Sequence, residues 1–130
     1  MKASDIKNKA LAEIIAHAKY EMHNIIDQLI RKGMMAEDEE GIYEVNLSDC
    51  GIKTKYTYDV WVEDICGEFY TEKRTLLGFQ LDADGVFVLA EEEDYDKQDP
   101  IALRALSFDD IVGLTDVLEE MWTTLIKGKK

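Results

Sequence analysis

Two amphipathic helical stripes bracket a strand-rich middle, and nothing else in this chain constrains its fold as tightly. Residues 4–32 place Leu11, Ile14, Ile15, Ala18, Met22, Ile25, Ile26, Leu29 and Ile30 at i, i+3, i+4, i+7 spacing. That spacing gathers them on one side of a helix. Ser4 stands as the N-cap, Arg31 and Lys32 lie at the negative end, and Gly33 supplies the stop. At 1.5 Å per residue such a helix is about 43 Å long, so it bends, breaks early or runs past whatever it packs on. Residues 107–127 repeat the pattern. Ser107 caps them, Asp109 and Asp110 sit in the first turn, and Ile111, Leu114, Val117, Leu118, Met121, Trp122 and Leu125 form the apolar stripe.

Between the stripes the period changes from 3.6 to 2. Tyr43-Glu44-Val45-Asn46-Leu47 alternates apolar with polar, Thr54 to Glu63 is rich in aromatic and β-branched residues, and Cys50-Gly51 and Cys66-Gly67 mark turns. Further strands are expected over 68–73 and 75–81. Asp82-Ala83-Asp84-Gly85 is a hairpin signal into Val86–Ala90, and a last strand is expected over 101–106. Short connections favour antiparallel pairing. The expected fold is α+β: a long N-terminal helix, an antiparallel β-meander of four to six strands and a C-terminal helix, both helices packed on the sheet. At 130 residues, 46% of them hydrophobic, the chain suits one globular α+β domain over 1–130.

Charge is placed unevenly. Residues 1–33 carry six Lys/Arg and four Asp/Glu, a net of +2, whereas residues 34–126 carry six against 24, a net of −18. The last four residues add three lysines. A field of this sign repels phosphate backbones and anionic membranes, so neither direct nucleic acid nor a membrane is an expected partner. The acidic surface is concentrated at Glu37, Asp38, Glu39 and Glu40 and at Glu91, Glu92, Glu93, Asp94 and Asp96. The opening residues lack the apolar core of a signal peptide and no run nears the roughly 18 apolar residues that span a bilayer; the expected location is cytoplasmic. Cys50 and Cys66 do not form a disulfide framework, although a single bridge between them stays open.

The search for chemistry returns little. There is no phosphate-binding loop, no dinucleotide-binding glycine motif and no CxxC. Aligning a calcium loop on Gly85 puts Asp82 and Asp84 at positions three and five and Glu91 at twelve, but Gln80 stands where aspartate belongs and the flanks read as strands. A hairpin tip explains Asp-x-Asp-Gly more simply. His17, flanked by Glu13 and Glu21, and His23, near Asp27, lie about 120 degrees apart on the first helix, taking roughly 100 degrees per residue. One ion does not reach both from one chain. No catalytic residue and no cofactor is indicated.

Alternation points instead to a surface. If Tyr56, Tyr58, Val60 and Val62 face the helices, then Trp61 faces away, and strand parity adds Leu76, Phe87 and Leu89 to the outer side. An apolar outer face of this kind marks an interface. The expectation is a small non-enzymatic protein–protein interaction or homo-oligomeric module, with a protein partner or a second copy as its occupant. Two alternatives belong to other classes: an acidic mimic of nucleic-acid charge that fills a basic protein groove, and a small ligand-binding domain or enzyme with a sheet–helix cleft lined by Tyr56, Tyr58 and Trp122.

Overall fold

The computed structural model describes the backbone over residues 3–91 and 100–127, and the side chains within those ranges from residue 8 onward. Helix α1 spans Ala3–Arg31, followed by strand β1 at Tyr43–Asn46 and a 3₁₀ turn at Leu47–Cys50. Strands β2 (Thr57–Glu63), β3 (Phe69–Asp82), β4 (Gly85–Ala90) and β5 (Ile101–Ala102) complete an antiparallel sheet of five strands. A second 3₁₀ turn at Leu103–Ala105 leads into helix α2, Phe108–Lys127. The architecture is the expected α+β arrangement of two terminal helices on an antiparallel sheet.

Both helices cover the same sheet face. Ala18, Met22, Ile25, Ile26 and Leu29 of α1 join Ile111, Leu114, Val117, Leu118, Met121 and Leu125 of α2 in one core. The strands supply Val45, Tyr58, Val60, Leu76, Phe79, Leu81, Val86 and Val88. The helices also pack on each other, and the Lys32 ammonium donates to the Leu125 carbonyl at 2.9 Å. That bond satisfies a carbonyl at the C-terminal end of α2, where a cation is favoured. Ser107 caps α2 as expected: the Asp110 amide donates to Ser107 Oγ and the Ile111 amide to the Ser107 carbonyl.

The two short strands expected over 68–73 and 75–81 are one strand of 14 residues. Its C-terminal half is held on both edges, by β1 and by β4. At its midpoint the Leu76 amide donates to the Tyr56 carbonyl, on the β2 side, and the Thr75 carbonyl accepts from Glu91, on the β4 side. β1 and β2 therefore lie end to end along one edge of β3. Among the described residues, the N-terminal half of β3 pairs with β2 alone, so β2 and residues 69–75 form a two-stranded ribbon.

A β-bulge interrupts β3. Leu76 pairs with Ala90 and Gly78 with Leu89, so Leu77 is an extra residue in the ladder. One inserted residue reverses the parity of every side chain beyond it. Leu76 thus shares the inner face with Phe79 and Leu81, although its register by simple alternation is the outer one. The expected last strand is also shorter: after Ala102 the chain turns into the 3₁₀ segment, which buries Leu103 completely.

Candidate interaction surface

The ribbon ends in a turn whose conformation is set locally. Asp64 Oδ1 accepts hydrogen bonds from the amides of Cys66 and Glu68, at 2.8 and 2.9 Å. The Asp64 amide donates to the Glu68 carbonyl, and Gly67 takes the left-handed conformation at φ 82°. Aspartate is suited to this because its short side chain bonds backbone two residues on, and glycine because it accepts positive φ without a Cβ clash.

Side chains on this ribbon divide by face and by distance from the body. At its base Tyr58 and Val60 are buried against the helices. Further out Val62 is only half-buried, and Tyr70, opposite it, is 48% exposed. On the other face Trp61 is 70% and Phe69 67% exposed, while Ile65 at the tip is fully exposed. Trp61 stands opposite Thr71, which makes Phe69 one of its diagonal neighbours on that face. Four large apolar side chains are therefore open to solvent within residues 61–70. Of the others exposed among the described residues, Leu77 lies further along β3 at the bulge, and Tyr20, Met34, Ile42 and Ile126 lie outside the two strands.

Charges around the patch are unbalanced. Asp59 pairs with Lys73 at 3.4 Å and Glu72 with Arg74 at 2.8 Å. Glu63, Asp64 and Glu68 have no cationic partner among the described residues. The outer end of the ribbon is thus apolar and negative.

Of the outer-face residues expected from alternation, only Trp61 is strongly exposed. Leu76 is 1% exposed and lies in the core, a correction that follows from the bulge at Leu77. Phe87 is half-buried, and Leu89, at 8% exposure, is covered although it stands outside the main core cluster. Ile65, Phe69 and Tyr70 were not singled out by alternation. The signal that finds them is the turn at Asp64–Gly67, which places residues on either side of it at the end of a hairpin.

The remaining candidates disperse. Glu37 to Glu40 lie exposed in the loop before β1, where Asp38 Oδ1 accepts the Glu40 amide at 2.7 Å. Glu91 pairs with Lys55 at 3.7 Å, whereas Glu92, Glu93, Asp94 and Asp96 fall outside the described residues. Asp82 and Asp84 belong to the tight turn between β3 and β4, with Asp82 Oδ1 accepting the Asp84 amide at 2.7 Å. Glu91 follows the whole of β4, about 20 Å along an extended chain from that turn, so the calcium-loop ligand set is not assembled. Among the described residues no three His, Cys, Asp or Glu side chains converge as a metal site would require. His17 approaches Glu21 at 3.7 Å, and the other Glu21 oxygen, Oε2, is buried without a hydrogen-bond partner.

Cys50 and Cys66 are both free, the first buried and the second exposed. Burial, with Asp49 nearby and Lys32 opposing, pushes the Cys50 thiol up to about 11, away from thiolate chemistry at neutral pH. Tyr58 is sealed in the core, where burial lifts its hydroxyl to about 12 against the opposing pull of Arg74. The Tyr56 hydroxyl bonds to Glu120 and is also raised to about 12, that bond being the main cause. The depression between β2 and α2 is lined by Tyr56, Thr57, Asp109, Asp110 and Gly113 and encloses about 110 Å³. Ligand pockets usually run to roughly 300–1,000 Å³. Tyr58 and Trp122 do not line it.

Compared with protein-family models, with curated proteins and with solved structures, the chain matches none of them. No helix among the described residues is long and apolar enough to cross a membrane.

Proposed function

We propose that this chain is a non-enzymatic protein–protein interaction module that engages its partner through the end of the β2–β3 hairpin. The supporting observation is the grouping of exposed Trp61, Ile65, Phe69 and Tyr70 on one ribbon. Exposed apolar residues are common singly, but aromatic groups clustered this way characterise binding surfaces, where buried Trp and Tyr supply most of the energy. Glu63, Asp64 and Glu68 around the patch favour a partner with a basic rim.

A partner bearing Lys or Arg around an apolar centre is therefore preferred to a second copy, which would bring the same three carboxylates to the interface. The test is affinity capture from the native cell with the wild-type chain and with Trp61→Ser/Phe69→Ser. Both positions are mostly exposed, so the double variant should unfold within about 1 kcal/mol of wild type and lose the partner. Retention of the same partner by a folded variant would reject the hairpin as the docking surface.

A further inference from the structure

The hairpin offers an edge as well as a face. The Tyr56 carbonyl accepts from Leu76, so it points at β3. The Asp59 amide points the other way, donating to Asp110 Oδ2 at 3.2 Å. Backbone groups alternate between the two edges of an antiparallel strand. The amides and carbonyls of Trp61 and Glu63 therefore point away from β3, as the Asp59 amide does. They have no partner among the described residues. Helix α2 closes the edge at Asp59, and the edge is open from Trp61 to the turn.

We propose that this open edge of β2 takes an extended, cationic peptide segment as an additional strand. The proposal rests on the hairpin being a docking surface and names how the partner binds. A strand paired there exchanges backbone hydrogen bonds with Trp61 and Glu63, two donors and two acceptors in all. Its residues opposite Trp61 and Glu63 share the outer face with those side chains. Lysine or arginine opposite Glu63 completes an unpaired charge, and a flat or apolar group, or an arginine, stacks on the indole. Unpaired Asp64 and Glu68 at the turn extend the same preference. A second copy is the wrong occupant. It brings its own Glu63, Asp64 and Glu68 to the same edge and no cation to match them, and gathering like charge along one seam destabilises a sheet.

The probe is a short acetylated peptide of alternating lysine and valine, with a glutamate–valine peptide as control, titrated into the full chain and followed by residue-resolved amide exchange. The lysine peptide should slow exchange at Trp61 and Glu63, leave Val60 and Val62 as they were, and outcompete the glutamate peptide. Glu63→Pro removes one outward donor without touching the β2–β3 ladder, since that amide does not face β3. It should weaken the lysine peptide about tenfold relative to Glu63→Gln, with Tyr58 and Val60 still protected. Equal binding by Glu63→Pro and Glu63→Gln, lost in Trp61→Ser, would overturn strand addition and leave the docking face standing. Absence of any binding, or equal binding of the glutamate peptide, would overturn the cationic-strand proposal, and the capture experiment would still judge the hairpin as a docking surface. Concentration-dependent protection of Trp61 and Glu63 without peptide would identify a second copy as the occupant and overturn it too.

Discussion

Gly78 carries no side chain because β1 lies too close to admit one. A Cβ there would sit 2.2 Å from the Val45 carbonyl oxygen and 2.7 Å from Asn46 Cα. Both obstacles are backbone in a paired strand, so neither swings aside. Gly78→Ala should cost about 3 kcal/mol, the upper end of overpacking, read as a lower urea midpoint at unchanged slope. A second prediction concerns protons. Cys50 titrates near 11 instead of 9, and Tyr56 and Tyr58 near 12 instead of 10. In each case the folded state holds the proton more tightly than the unfolded chain. The stability this contributes is complete below the unfolded values and is lost as pH rises through the folded ones. The thermal midpoint should fall from about pH 9 to pH 12, and Tyr58→Phe should flatten the upper part of that fall while leaving the midpoint at neutral pH nearly unchanged. An identical alkaline profile in the variant would show that Tyr58 does not contribute.

Among the elements, α1 divides into two halves by burial. Among its described side chains the fully buried ones begin at Ala18, whereas Leu11, Ile14 and Ile15 are only half-covered. The apolar stripe runs the whole length, so the sequence does not mark where cover ends; the reach of the sheet and of α2 decides that. Leu29→Ala should cost about 2–5 kcal/mol, as for a filled core site, and Leu11→Ala about 1 kcal/mol. Equal losses in urea unfolding would mean that the first half is as tightly packed as the second. The helices were legible because 3.6-residue periodicity is written in each of them separately. The turn near Cys66-Gly67 was legible for the same reason, glycine being a local signal, whereas the part played by Asp64 was not read from it. β3 was not, since nothing between Lys73 and Thr75 announces that one strand spans two sets of partners.

At the scale of the whole molecule, charge and exposure fall unevenly. Residues 34–126 carry a net charge of −18, and the ribbon on which apolar side chains cluster in the open among the described residues belongs to that stretch. For a basic partner this field should act mainly on encounter: raising salt from about 50 mM to about 500 mM should slow association about tenfold and change dissociation little, because a screened field no longer steers. A salt-independent association rate, measured by stopped-flow, would show that the acids play no part.

From the residues alone came the two helices, their shared need for one sheet face, the antiparallel strands and Trp61 as an outward aromatic. These follow from local periodicity and turn chemistry, which need no distant partner. Tertiary structure decided which other residues join Trp61. A single unpaired residue at Leu77 moves Leu76 into the core, and the different reach of β2 and β4 along β3 leaves a ribbon whose end exposes Ile65, Phe69 and Tyr70. Strand parity is reset by a bulge, and a bulge is a property of two strands together. No segment read by itself contains it.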